Sequence, residues 1–353
     1  MAHALALAER GLFTTTPNPR VGCVIVRDGA VVGTGWHERA GEAHAEVIAL
    51  REAGARAAGG TVYVTLEPCS HHGRTPPCTD GLIAAKVARV VAACEDPNPV
   101  VAGQGLACLR AAGIDASVGL LGEAARELNI GFVSRMTRGR PWVRMKIAAT
   151  LDGKTALGDG RSQWITGADA RRDGHAFRAR ACAVLTGIGT VKDDDPQLTV
   201  RDVPTTRQPL RVLVDSRLEV PPTARILEGG NVLVAAAVAD RARIAALAGH
   251  GAQVLLLPNA AGKVDLGELM AELGRRGLNE VHVEAGFKLN GSLVAAGLVD
   301  ELVIYFAPSL IGESGRGMFN LPGPADLAAR VQLSVRDVRR VGADLRVLAR
   351  LVS

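Results

Sequence analysis

Short apolar stretches alternate with helical spacings along the whole chain, cut by polar turns. Residues 4–12 carry helical spacing, and Pro17-Asn18-Pro19 ends it. A β-rich run at 21–26, the turn pair Asp28-Gly29 and a second strand starting at Val31-Val32 predict a hairpin. Gly41-Glu42-Ala43 leads into a helix bearing His44, Glu46, Val47 and Leu50, which stops near Gly54 or Gly59-Gly60. Strands follow at 62–66 and 88–93, with a helix between them that Thr79 is placed to cap. The alternation continues through 106–111 and 116–120. This order predicts an α/β layered domain with its chemistry at helix starts and strand ends.

Arg138-Gly139-Arg140-Pro141 reads as a linker, which sets domains at 1–139 and 140–353. After it the pattern restarts with a strand at 142–149, a polar loop and a helix at 169–180. Strands are then expected at 183–186, 210–214, 231–235, 253–257, 280–284 and 301–307. The second half is therefore a separate α/β domain.

At 353 residues, two domains are the natural expectation, and 48% hydrophobic with 22% charged residues suits full globular cores. The net charge of +5 is dispersed, aromatics are only 3%, and no basic stripe appears. That pattern argues against nucleic acid and suits a small phosphorylated substrate and a phosphate-rich cofactor. The longest strongly apolar run, 232–239, is too short to span a bilayer, so no membrane partner is expected. No export signal is visible at the N-terminus, and six Cys in so long a chain do not make a disulfide framework. The expected location is the cytoplasm.

The chemistry concentrates in His44-Ala45-Glu46, Pro68-Cys69 and Cys78. One imidazole and two thiols suit zinc, and three protein ligands leave the fourth tetrahedral position open, as a catalytic site requires. Glu46 would move the proton of the attacking zinc-activated water. The set matches the zinc nucleobase deaminases, except that eight residues separate the two Cys where the usual pattern has two. His71 and His72, inside that insertion, are rival ligands by type. A fourth ligand would close the site, so His71 is read as a substrate contact and Arg74 as a phosphate contact. Cys23, Cys94, Cys108 and Cys182 read as buried filler. Asn18 and Asn98 are loop residues able to project an amide towards a base edge.

In the second half, Gly187-Ile188-Gly189-Thr190-Val191-Lys192 fails the dinucleotide fingerprint. The informative stretches are Leu151-Asp152-Gly153-Lys154, Ser162-Gln163-Trp164-Ile165-Thr166, the run Asp193-Asp194-Asp195-Pro196, and Val283-Glu284-Ala285-Gly286. The last is a strand-to-helix turn whose Gly286 and Gly291 would present backbone N–H groups to a phosphate. Spacing alone supports a nucleotide-binding α/β domain and no more.

These motifs, with Thr16-Pro17-Asn18-Pro19, Asp96-Pro97-Asn98-Pro99 and Val214-Asp215-Ser216, resemble the bifunctional riboflavin-biosynthesis deaminase–reductases almost end to end. The long insertion between the Cys residues is that family's own signature. The resemblance implies a cytidine-deaminase-like α/β/α layered domain followed by a dihydrofolate-reductase-like α/β domain. The first would deaminate 2,5-diamino-6-ribosylamino-4(3H)-pyrimidinone 5′-phosphate. The second would use NADPH to reduce the ribosyl group, giving 5-amino-6-(5-phosphoribitylamino)uracil. It implies Zn²⁺ on His44, Cys69 and Cys78, and proton transfer by Glu46. It places NADP on Ala148, Trp164, Thr190, Asp194 and Ser216, and on the turn Gly286, Phe287, Lys288, Leu289, Asn290, Gly291 and Ser292. Substrate contacts fall to Ser162, Arg178, Leu198, Arg201 and Glu284, with the two arginines suited to the phosphate and Lys154 a further polar candidate. A homo-oligomer, dimer or tetramer, is also expected.

Two departures stand out: the chain starts close to its first helix, and the stretch between Arg201 and Gln208 is short. Two alternatives remain at this stage. One is a nucleic-acid base deaminase with an accessory binding domain; the other is a closed structural zinc module with four protein ligands.

Overall fold

The computed structural model describes residues 1–71, 76–99 and 101–352. The chain divides into two compact units, Met1–Gly139 and Arg140–Ser353. The first contains α1 (Ala2–Glu9), β1 (Gly22–Arg27), β2 (Ala30–Trp36), α2 (Ala45–Ala53), β3 (Thr61–Val64) and α3 (Cys78–Ala84). It continues with β4 (Arg89–Ala92), α4 (Gln104–Ala111), β5 (Asp115–Val118), α5 (Gly122–Leu128) and α6 (Ile130–Arg138). Its sheet runs β2-β1-β3-β4-β5, with β3, β4 and β5 parallel and β1 antiparallel to both neighbours. The hairpin turns on Asp28 and Gly29, both at positive φ, which matches the twist of the flanking strands. Ile25, Val62, Val64, Leu82, Leu106 and Leu109 fill the core.

Backbone approaches backbone where α2 crosses the sheet. A Cβ on Gly35 would lie 2.2 Å from the Ala45 carbonyl oxygen, and one on Gly33 2.2 Å from that of Ala49. The two glycines of β2 therefore set the height of α2, the helix that begins next to His44. Two expectations need correction. α1 ends at Glu9 rather than running to residue 12, because the chain tightens into turns at Arg10 and Gly11. Thr79 does not cap α3: it lies inside the helix, and its hydroxyl donates to the Cys69 carbonyl at 3.3 Å.

The second unit contains β6 (Trp142–Thr150), β7 (Lys154–Ala156), α7 (Ala168–Arg180), β8 (Ala183–Gly187), α8 (Ile188–Asp194), β9 (Leu210–Val214), β10 (Val232–Ala236) and α9 (Arg241–Gly249). Then come β11 (Ala252–Leu256), α10 (Leu266–Arg275), β12 (Glu280–Val283), α11 (Phe287–Ala295), β13 (Glu301–Ala307), β14 (Arg316–Gly317), β15 (Leu333–Val341) and β16 (Asp344–Leu351). Nine strands order as β11-β10-β9-β8-β12-β6-β13-β16-β15. The first seven are parallel, and β16 and β15 add an antiparallel edge. Parallel strands buried on both faces read as continuous apolar runs, as in Val232–Ala236. β12 sits between β8 and β6, so the winding reverses there, and ligands of open α/β sheets bind at the carboxyl ends of strands beside such a reversal. α8 takes in Asp193 and Asp194, the first two residues of the acidic run before Pro196.

Candidate metal centre and nucleotide-binding face

His44 stands at the N-cap position of α2 in extended conformation, so its side chain leaves the helix start. Cys69 follows β3, and Cys78 opens α3. Their ligand atoms lie within 4.8 Å of one another. His44 Nδ1 is 3.2 Å from Cys78 Sγ and 3.6 Å from Cys69 Sγ. Tetrahedral zinc with ordinary Zn–N and Zn–S bonds needs ligand separations of about 3.6 Å, so this donor set fits the ion. The Cys78 backbone N–H donates to Cys69 Sγ at 3.3 Å. Hydrogen bonding from the Cys78 thiol pulls the Cys69 thiol well below its ordinary range; burial opposes this and His44 adds to it. Glu46 is buried in the first turn of α2, and that burial pushes its carboxyl above the usual glutamate range.

Cys23, Cys94 and Cys182 are buried as expected, whereas Cys108 on α4 is only partly so. His71 is exposed and stands outside the three-residue cluster, while His72 and Arg74 lie outside the described residues. Asn18 pairs with His37, its amide 3.0 Å from Nε2, and the His37 Nδ1 contacts the Ala43 carbonyl at 3.0 Å. The His37 ring meets the His44 ring edge-on at 5.5 Å. His37 went unnoticed in the sequence; its only signal is its place directly after β2. Glu67 was missed as well. Its buried carboxylate accepts N–H bonds from Asp96, Gly103 and Leu106, tying those three residues to the one that precedes Pro68-Cys69.

In the second unit several of the expected residues stand at the carboxyl ends of the parallel strands. Ala148 is near the end of β6, Ser216 follows β9, and Glu284 follows β12. The Ser162 hydroxyl donates to Asp194 at 2.9 Å, joining the polar loop to α8. Trp164 is 71% exposed and lies over Arg171, whose guanidinium carbon is 4.7 Å from the ring centroid. Gly286 is the N-cap of α11, and a Cβ there would lie 3.7 Å from the Thr190 hydroxyl. Among the described residues no side chain caps that helix. Its first N–H groups therefore remain available to an anion beside Phe287 and Lys288, a start that fits a cofactor pyrophosphate. Gly291 behaves differently from expectation. A Cβ on it would lie 2.2 Å from the Asn320 carbonyl oxygen, so its smallness serves close packing rather than a phosphate seat. Asn290 is buried and donates to the Met318 carbonyl at 3.2 Å. Leu289 and Ser292, with Ser216, line a cleft of about 380 Å³.

Arg178 forms a two-pronged ion pair with Glu284: Nε meets Oε1, and Nη2 donates to Oε2 at 2.8 Å. A further N–H of Arg178 donates to the Thr199 carbonyl at 2.9 Å. Burial pushes the Glu284 carboxyl up, but the Arg178 pair overrides it and holds the group far below the usual range. Leu198 is buried at positive φ, and Arg201 is exposed, bonded to the Thr199 hydroxyl at 3.1 Å. Lys154 is turned onto the Glu313 carbonyl at 3.3 Å. Lys146, on β6, faces the ring of Tyr305 at 6.0 Å, and burial lowers its pKa.

Residues 1–94 match the cytidine and deoxycytidylate deaminase zinc-binding region, and residues 141–347 match the RibD C-terminal domain. The chain is thus a zinc-dependent deaminase fused to an NADPH-using reductase, with a cytidine-deaminase-like and a dihydrofolate-reductase-like α/β fold. It is 51% identical to riboflavin biosynthesis protein RibD of Escherichia coli (strain K12) over 98% of this chain and 96% of that one. An Acinetobacter baumannii RibD structure superposes with a TM-score of 0.93 at 43% identity, covering 100% and 98% of the two chains. A Thermotoga maritima diaminohydroxyphosphoribosylaminopyrimidine deaminase/5-amino-6-(5-phosphoribosylamino)uracil reductase gives 0.88 at 32% identity, covering 100% and 97%. This chain belongs to the RibD family, the bifunctional deaminase–reductases of riboflavin biosynthesis.

Proposed function

We propose that the two units catalyse consecutive steps on one phosphorylated pyrimidine. Unit 1 deaminates 2,5-diamino-6-ribosylamino-4(3H)-pyrimidinone 5′-phosphate, and unit 2 reduces the ribosyl group of the product with NADPH. The observation that carries the first step is the His44, Cys69 and Cys78 cluster with a buried carboxyl, Glu46, two residues from the His. Zinc bound there supplies the Lewis acidity that makes water a nucleophile near neutral pH. Glu46 would take one proton from the attacking water and pass it to the ring nitrogen, then carry the second, from the hydroxyl so added, to the amine that leaves as ammonia. In unit 2, Ala148 leaves room for the nicotinamide, the start of α11 beside Thr190 takes the pyrophosphate, and Ser216 with Leu289 and Ser292 takes the adenosine end. Trp164 and Asp194 close the nicotinamide side. Ser162, Leu198 and Glu284 contact the substrate. Arg178, held in place by Glu284, and the exposed Arg201 take the substrate phosphate.

The test is incubation of the purified chain with the diaminopyrimidinone phosphate, with and without NADPH, followed by mass analysis. We expect the deaminated species alone without NADPH and the ribityl product with it. Glu46→Gln should slow deamination by about 10²–10⁴-fold while reduction of the deaminated intermediate keeps its rate. Loss of both activities in a folded, zinc-loaded variant would overturn the two-site reading.

We further propose a cytoplasmic homo-oligomer, dimer or tetramer. All six cysteines are free, as in a reducing compartment, and among the described residues no helix is long and apolar enough to cross a membrane. The edge strand β15 leaves Leu333, Val335 and Val338 exposed in a row that a second copy could cover. Light scattering that gave a monomer at micromolar concentration would reject the oligomer.

A further inference from the structure

We propose that Lys263 selects NADPH over NADH by pairing with the phosphate on the 2′ oxygen of the adenosine ribose. The inference rests on the reading of unit 2 as an NADPH reductase and deepens it. The two cofactors differ only in that dianion, so discrimination requires a cation at the adenosine end of the site.

The direction of the cofactor follows from the strand order. Ala148 belongs to β6, Gly286 and α11 follow β12, Thr190 and α8 follow β8, and Ser216 follows β9. These strands are consecutive neighbours in the sheet, β6-β12-β8-β9, and three spacings carry the row about 14 Å from the nicotinamide position to Ser216. The cleft of about 380 Å³ lies at that far end. Its walls include Ser216 and Val214 from β9 and its exit, Leu289 and Ser292 from α11, and Lys263.

Lys263 is held for this task by its backbone. Its N–H donates to Asn259 Oδ1 at 3.0 Å, and its carbonyl accepts the Asn259 N–H at 2.7 Å. Val264, the next residue, donates its N–H to the Ser216 hydroxyl at 3.1 Å, which fastens the turn to the end of β9. The side chain is exposed, and among the described residues its ammonium has no carboxylate partner. Asp265 also lines the cleft, but its Oδ1 accepts the Glu268 N–H at 3.0 Å and caps α10. The same cap places the start of α10, Leu266 and Gly267, on the cleft wall, and a helix start adds attraction for an anion. The rival cation is Arg217, beside Ser216. It is not among the cleft's lining residues, and its Nη1 lies 4.0 Å from Glu219 Oε1.

The test is equilibrium binding to the full zinc-loaded chain without pyrimidine substrate, by calorimetry or nicotinamide fluorescence. The probes are NADPH, NADH, adenosine 2′,5′-bisphosphate and AMP. Wild type should prefer the 2′-phosphorylated member of each pair. Lys263→Ala should weaken NADPH and the bisphosphate by about tenfold, leave NADH and AMP unchanged, and Lys263→Arg should restore the preference. Arg217→Ala should leave all four unchanged. If Lys263→Ala keeps the full preference, or Arg217→Ala removes it, the assignment to Lys263 is wrong while the reductase reading stands. If wild type binds neither dinucleotide, the reductase reading itself fails.

Discussion

His282 lies inside β12 with both ring nitrogens buried, stacked on Phe177 with ring centroids 6.2 Å apart. Glu284 lies 3.5 Å away, but Arg178 has already taken that carboxylate, and Arg178, Arg144 and Lys146 all oppose a charge on the ring. Burial therefore keeps the imidazole neutral and lowers its pKa to about 3. In the unfolded chain the same ring titrates near ~6.5. Between those values the unfolded chain binds a proton that the folded one refuses. Stability is thus complete above about pH 6.5 and is lost as pH falls towards 3, by up to ~1.4 kcal/mol per pH unit for this one group. We predict that His282→Leu flattens the pH dependence of unfolding of unit 2 between pH 6.5 and 5 by that one-proton slope. Equal slopes in urea titrations of variant and wild type would refute it. Residues of this kind mark the limit of sequence reading. His44, Glu46, Cys69 and Cys78 are legible because spacing in the chain and chemical type already define a ligand set. His37, Glu67 and His282 acquire their roles only from partners that folding brings to them.

At the scale of elements, the close seat of α2 on β2 links packing to the metal centre. Gly35 has no room for a side chain: a Cβ would lie 2.2 Å from the Ala45 oxygen and 2.8 Å from the Ala49 nitrogen. Ala45 is the residue after His44, so moving the helix moves a ligand. Overpacking of this sort costs about 1–3 kcal/mol, and the displaced imidazole weakens the tetrahedral set further. Gly35→Ala should lower both the zinc content and the melting temperature of unit 1 while reduction is unchanged. A variant that kept full zinc occupancy would show that the helix height does not control the site. The elements read from the sequence are those with a clean period: β9 and β13 occur at the expected bounds, since each is a short apolar run between polar turns. β15 and β16 lie beyond the expected strands, although Leu345, Val347, Ala349 and Leu351 alternate along β16. Charged residues on the opposite positions of that hairpin, such as Arg346 and Arg350, are tied into partly buried ion pairs, which blurs the apolar signal. α8 hides for a related reason, because three Asp before Pro196 look like a solvated loop until Asp194 receives Ser162.

For the whole molecule, the two units have separate hydrophobic cores, one around Ile25, Val64 and Leu109 and the other around Met145, Leu185 and Val283. The metal cluster belongs wholly to the first unit and the strand-end row wholly to the second. The cluster joins the start of α2, the segment after β3 and the start of α3, three places otherwise connected through the sheet. An ion that binds only the folded form adds stability as the logarithm of its saturation, about 4 kcal/mol at a thousandfold excess over its dissociation constant. Removing zinc with a chelator should therefore lower the melting transition of unit 1 and abolish deamination. The transition of unit 2 should stay in place, and NADPH-dependent reduction of the deaminated intermediate should proceed at its original rate. Differential scanning calorimetry and the reduction assay on the same chelated sample check both halves. A common downward shift of every transition, with loss of reduction, would mean that the cores are energetically coupled. The division read from Arg138-Gly139-Arg140-Pro141 would then describe the chain's layout but not its energetics.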